Sequence, residues 1–192
     1  MAQGVNNQQA WAYAQRDGLL LGIYWILTMG MFICQFAVPL CGTIWLFLML
    51  FTPFYVGGFT AKYGITERES RMTFGSAYIY SYIIYVCGAL ILSLAFWFYL
   101  RYMDDGYLID KYTSVLTDPH GKEIMEQLGY SEQMIKDVMK LGEQWSSTFR
   151  SMRPIDICLE LLWFNLVTSI VISVISAFHT LLTLYFRRNR KN

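Results

Sequence analysis

Apolar residues fill three long stretches of this chain that no charge interrupts. Between Asp17 and Lys62 lie 44 residues without Asp, Glu, Lys or Arg; between Arg71 and Arg101 lie 29, and between Glu160 and Arg187 lie 26. About 20 apolar residues in a helix cross the hydrocarbon of a bilayer. The second and third stretches therefore predict one span each, over 72–100 and 157–186. The first would make roughly 66 Å of helix, about twice the hydrocarbon thickness. It predicts a hairpin over 18–61, with spans at 18–38 and 43–61, broken where Pro39, Leu40, Cys41 and Gly42 cluster. The break carries no charge to hold it in water, so a re-entrant hairpin is the alternative to two crossings. Thr52-Pro53 predicts a kink in the second span, and Gly57-Gly58 its end.

Polar segments punctuate the spans. Residues 1–17 are polar and lack the basic stretch of a cleaved signal, so the first span is expected to direct insertion. In the 62–71 loop, Thr66-Glu67-Arg68-Glu69 reads as a capping box ahead of the third span. Pro154 opens the fourth, with Asp156 and Glu160 near its positive end and Arg101, Arg150 and Arg153 as ion-pair partners. Trp11, Tyr13, Trp97, Tyr99, Tyr102, Trp163 and Tyr185 fall at expected membrane interfaces.

Residues 101–156 form an acidic extramembrane segment with its own helices. Pro119, after Asp118, can open a short helix that ends at Gly129, and Ser131 can cap a second. In the second, Met134, Val138, Leu141, Trp145 and Phe149 recur at three- and four-residue steps, an apolar stripe. Packing on the protein's own spans is the plain reading of that stripe. Contact with the outer leaflet and reception of a partner protein are the others, and the five residues are the candidate partner-binding set.

Charge sets the orientation. With four spans, the N-terminus, the 62–71 loop and the 187–192 tail share a side with eight Lys/Arg against three acids. The 101–160 side has seven against eleven. Basic residues stay in the cytoplasm, so both termini are expected there, and the acidic segment outside. The composition agrees: 192 residues, 55% hydrophobic and only 15% charged, where soluble domains run to about 25% charged. A soluble enzyme, a disordered chain and a nucleic-acid-binding domain are excluded. Net charge is +1, which gives no field to attract nucleic acid. Cys34, Cys41, Cys87 and Cys158 lack metal or redox-motif spacing and read as small apolar packing residues.

Span four carries the most informative pattern. Asn165, Ser169, Ser173, Ser176, Thr180 and Thr183 fall within an arc of about 80°, which Thr168 and His179 widen to about 140°. Asn165, Ser169, Ser173, Ser176, His179 and Thr180 are the candidate polar face. It serves helix packing, through close approach and interhelical hydrogen bonds, or it lines a polar path. Ala77, Ser81, Gly88 and Ala95 in span three, and Gly18 and Gly22 in span one, read as contact seams. His179 is the one histidine inside a span. His120 with Asp104, Asp105 and Asp110 lacks any ligand spacing. No catalytic set and no cofactor or metal motif is present, so neither catalytic residues nor cofactors are expected.

The order of parts resembles a known family. An apolar hairpin is followed by a third span that begins at Met72-Thr73-Phe74-Gly75 and ends at Arg101-Tyr102-Met103-Asp104. A polar segment of about 50 residues with short helices follows, then Arg153-Pro154, a last span and a basic tail. This arrangement is similar to the bacterial integral-membrane family catalogued as domain of unknown function 4199, over residues 15–190. The resemblance implies a four-span topology and placement in a bacterial inner membrane, and brings no activity. The reading is an all-α, multi-pass integral membrane protein with a small helical extramembrane segment. The expected role is a non-catalytic subunit or scaffold whose partners are the lipid bilayer and another membrane or periplasmic protein. The alternative is a small transporter or channel, a homo-oligomer lined by the polar face of span four.

Overall fold

The computed structural model describes residues 7–67, 72–117 and 125–189. Among them are α1 (Asn7–Cys34), α2 (Pro39–Glu67), α3 (Phe74–Tyr102), α4 (Tyr107–Thr117), α5 (Glu132–Ser151) and α6 (Pro154–Asn189), and no strand. Helices α1, α2, α3 and α6 hold 28, 29, 29 and 36 residues. At 1.5 Å per residue they run to about 42–54 Å, more than the roughly 30 Å of hydrocarbon. All four are long and apolar enough to cross a membrane. The protein is an all-α, multi-pass membrane protein.

Several boundaries differ from those expected. The chain reverses at residues 35–38, and Pro39 is the first residue of α2 rather than part of the break. Its fixed φ and missing N–H suit a first helical position. Gly57 and Gly58 do not end α2, which continues through Glu67. Thr66 therefore lies in the last turn of α2 and does not cap α3; Arg68 and Glu69 lie outside the described residues. The cap is Thr73. Its Oγ1 accepts from the Ser76 N–H at 3.3 Å, and Ser76 Oγ accepts from the Thr73 N–H at 3.1 Å. This is a capping box with Ser as the reciprocal partner. Pro154 opens α6 and Ser131 caps α5, accepting from the Met134 N–H. Pro119, His120, Arg190 and Lys191 lie outside the described residues. Gly129 has φ +83°, and the N–H groups of Gly129 and Tyr130 donate to the carbonyls of Glu126 and Met125. These are the two bonds of a Schellman helix end.

The described residues fall into two compact units. One comprises residues up to Ala95 and from Glu160 onward, and the other Phe96–Leu159. The first holds a core of Leu21, Trp25, Val56, Tyr80, Ile84, Tyr85, Ala177 and Leu184. Its outward surfaces carry Leu27, Phe47, Leu50, Ile79, Val171 and Phe178, all more than half exposed, as befits contact with lipid. In the second, α4 and α5 run antiparallel. Ser146 Oγ lies 2.6 Å from Thr113 Oγ1, and Arg150 pairs with Asp110 at 2.6 Å. Helix α4, over 107–117, was not expected from the apolar pattern. Its start is set by Asp104, which is buried and accepts from the Leu108 N–H at 3.0 Å, and by left-handed backbone at Asp105 and Gly106. The expected ion pair at the start of α6 forms between Arg153 and Asp156 at 2.8 Å.

Small residues set how closely the helices of the first unit approach. A Cβ on Gly18 would collide with Cys87 Cβ and lie 3.1 Å from the Ile84 carbonyl, and one on Gly22 would meet Ile91 at 2.7 Å. Gly58 has nothing within 4 Å. Gly18→Ala should therefore push α1 off α3 and cost about 1–3 kcal/mol. Gly58→Ala should be neutral or slightly stabilising, because Ala favours helix over Gly by about 1 kcal/mol. Thermal unfolding of the two variants in one detergent checks the contrast.

Candidate functional site

The polar face of α6 turns inward as a unit. Ser169, Ser173, Ser176 and Thr180 are buried, and Asn165, Thr168, His179 and Thr183 are half-buried. Trp163, Val167, Ile170, Val174, Phe178 and Leu182 are exposed on the other side. The structure also shows what the polar groups do. Asn165 Nδ2 donates to the Leu161 carbonyl, Ser169 Oγ to that of Leu166 and Thr183 Oγ1 to that of His179, all within α6. Two residues reach across. Ser176 Oγ donates to the Pro53 carbonyl of α2 at 2.9 Å, and Thr180 Oγ1 lies 3.1 Å from the Gly57 carbonyl. Because Ser176 has given its one proton to Pro53, Tyr85 Oη of α3 must donate to Ser176 Oγ, 3.0 Å away. Ser176 thus ties α2, α3 and α6 at one point.

Gly57 makes that junction possible. A Cβ there would lie 2.5 Å from His179 Nδ1 and 3.0 Å from the Ser176 carbonyl. The His179 ring meets Phe54 edge-on at 5.5 Å. His179 Nδ1 and Ser173 Oγ, both buried, make no hydrogen bond among the described residues. A second hydroxyl pair joins α2 to α3. Thr60 Oγ1 donates to the Val56 carbonyl, so Ser81 Oγ donates to Thr60 Oγ1 at 2.9 Å. Of the expected seam in α3, Ala77, Ser81 and Gly88 are buried and Ala95 is half-buried.

A buried carboxylate in α1 escaped the sequence reading. Counting charge-free runs placed Asp17 just outside the first span, whereas α1 begins ten residues earlier. Asp17 is 3% exposed. Its Oδ2 accepts from Tyr80 Oη at 2.9 Å, and its Oδ1 from Arg16 Nη2 at 3.0 Å. The Tyr80 ring stacks on Tyr63 at 4.3 Å, and Tyr63 meets Tyr13 at 5.8 Å. Ionisable groups inside membrane helices mark functional positions by default. The signal was legible: Ala14, Asp17, Leu21, Trp25 and Thr28 step by three and four and are all buried. Beside this cluster opens a cleft of about 220 Å³, lined by Ala10, Trp11, Tyr63, Met72, Ser76 and Tyr80 among others.

The proposed stripe of α5 is not the packed one. Met134, Val138, Leu141 and Trp145 are exposed, and only Phe149 is half-buried. The inward edge is one residue further along: Ile135, Met139, Gly142 and Ser146. These two edges form one apolar-to-small arc of about 160°, of which the inner half is packed and the outer half is open. Trp145 and Phe149 are 5.8 Å apart across it. On the polar side, Lys136 pairs with Glu132 at 2.8 Å, and that carboxylate holds the Lys136 ammonium above its usual range.

The Asp17–Tyr80 contact can be weighed by a double-mutant cycle. Asp17→Leu should cost about 1–3 kcal/mol, because the buried Tyr80 hydroxyl loses its acceptor. Adding Tyr80→Phe should recover most of that loss. Unfolding midpoints of the two single variants and the double variant, measured in detergent, check the coupling; strictly additive losses would show that the bond contributes nothing.

No curated protein and no solved structure matches the chain. Residues 16–180 match the family described as protein of unknown function (DUF4199). That stretch takes in the buried carboxylate of α1, the α2–α3 hydroxyl pair, both extramembrane helices and the polar face of α6 as far as Thr180. The chain belongs to the DUF4199 family.

Proposed function

We propose that this protein is a non-catalytic, multi-pass subunit of the bacterial inner membrane that binds another membrane or periplasmic protein through α5. Both termini lie in the cytoplasm and residues 101–156 outside. The eight basic residues against three acids on the terminal side support that orientation. The observation that carries the reading is the open half of the α5 arc. Met134, Val138, Leu141 and Trp145 are 55, 44, 55 and 58% exposed, while Ile135 and Gly142 on the adjoining edge are already buried. Aromatic residues and Met are enriched in protein interfaces, and Trp is common among their strongest contributors. A structural role for the bundle is supported by its chemistry, since Asp17 is held between Tyr80 and Arg16 and most α6 hydroxyls donate to helix carbonyls.

The test uses the full chain, extracted in mild detergent, with the mass and composition of the complex read by native mass spectrometry. A stoichiometric second protein is expected. Val138→Lys with Trp145→Lys should release it while the thermal midpoint of the bundle stays unchanged. If the partner remains bound to that variant, α5 is not the contact.

A second reading is a small homo-oligomeric transporter or channel lined by α6. It draws support from Ser173 Oγ and His179 Nδ1, which are buried without a hydrogen bond among the described residues. Cysteines placed at Ser169, Ser173 and Ser176 should then react with water-soluble maleimides. Uniform protection of all three excludes an aqueous path along that face.

A further inference from the structure

We propose that Cys34 and Cys41 form a dithiol that closes to an intramolecular disulfide across the α1–α2 turn, a modification site at the apex of the hairpin. Cys34 is the last residue of α1, and Cys41 lies in the first turn of α2. Val38 sits between them in the hydrogen-bonding pattern. Its N–H donates to the Cys34 carbonyl at 2.9 Å, and its carbonyl accepts from the Cys41 N–H at 2.9 Å. The two helix ends are packed closely beside the turn: a Cβ on Gly42 would meet Gln35 Oε1 at 2.8 Å and Gln35 Cβ at 3.4 Å. Both thiols are free; Cys34 is exposed and Cys41 half-buried. Disulfide formation gives this pair a role beyond the apolar packing expected of all four cysteines. Cys87, against Gly18, and the buried Cys158 do behave that way.

The position suits oxidation. Phe32, Phe36 and Trp45 cluster beside the turn, with Phe32 and Trp45 at 5.2 Å, the kind of aromatic grouping found at headgroup level. With cytoplasmic termini, a topology that rests on the reading under Proposed function, the turn faces the oxidising side of the membrane, where disulfides persist. The oxidant is a disulfide, on a protein or a small molecule, at that face. One thiolate of the pair attacks a sulfur of that disulfide and expels one thiolate, leaving a mixed disulfide. The second thiolate of the pair then attacks the mixed disulfide and expels the other. The pair loses two electrons and two protons, and the donor disulfide is reduced to two thiols. The product links the last turn of α1 to the first turn of α2, where no charge anchors the apex in water.

The experiment counts thiols. Full-length protein in membranes is treated with oxidised glutathione, then denatured with a polymer-coupled maleimide, with or without prior dithiothreitol. Of the four cysteines, two should react before reduction and four after it. In Cys34→Ser and Cys41→Ser the remaining thiol has no partner to resolve the mixed disulfide, so each variant should carry one glutathione by intact mass and give two adducts before reduction and three after it, whereas the wild type should carry none. Four adducts in the oxidised wild type would overturn the proposal, and so would two bound glutathiones, read by intact mass, in place of an internal disulfide. A membrane-impermeant maleimide applied to reduced, right-side-out vesicles reads the topology separately. If Cys34 labels only in inverted vesicles, the orientation is wrong, while the thiol count still decides whether the pair closes.

Discussion

Hydrocarbon offers no hydrogen bonds, so every polar group carried into it must find its partner inside the protein. That constraint shapes the first unit of this chain. Four long helices satisfy their own backbones, and most hydroxyls brought along find a carbonyl, a second hydroxyl or, for Tyr80, a carboxylate. Ser176 meets this demand across three helices, donating to Pro53 and accepting from Tyr85. Thr180 does so within α6 and toward Gly57. Asp17 is the costliest group of the set, and it sits where a phenol and a guanidinium both donate to it. Proline and glycine in α2 serve the same end. Pro53 offers its carbonyl to Ser176, and Gly57 removes the side chain that would hold α6 away.

Between helices surrounded by lipid there is little hydrophobic force, since lipid tails are as apolar as leucine. Association rests instead on close contact and on bonds of the Ser176 kind. The glycines of α1 follow that logic. Gly18 and Gly22 lie against Cys87 and Ile91 of α3, and Gly88 of α3 lies against Leu21 of α1. Each helix thus presents a small residue where the other presents a larger one. The bulky side chains are left to face outward, where Leu27, Phe47 and Val171 meet lipid.

The periodic features of the fold were legible in the sequence, and the features set by single local contacts were not. The inward face of α6 repeats every three or four residues over 19 positions, from Asn165 to Thr183, so the helix period alone revealed it. Asp17 escapes a reading in which charge marks the end of a span, although its place on the Ala14–Leu21–Trp25 face gives the opposite signal. The sequence pattern for a capping box falls at Thr66, with Glu69 at the fourth position. The protein uses Thr73 and Ser76, whose hydroxyls perform the same exchange. Helix α4 left no apolar rhythm, since Asp104 and the turn at Asp105-Gly106 fix its start. The turn that brings the ends of α1 and α2 together at Cys34 and Cys41 is four residues long, a tightness that spacing in sequence does not reveal.

The exposed apolar surfaces of the two units differ in kind. On α1, α2, α3 and α6 they run through stretches free of charge, so hydrocarbon can cover them. On α5 the exposed stripe of Met134, Val138, Leu141 and Trp145 is bordered by Asp137, Gln144 and Thr148 within about one helical step on one side. Immersing that stripe in hydrocarbon would carry Asp137 with it, at a large cost in desolvation. On its other side the stripe continues into the packed edge of Ile135 and Gly142. A surface that covers it must therefore be apolar at its centre and polar along one rim. Protein interfaces share that anatomy of apolar centre and polar rim, which is why the proposed partner is placed on α5.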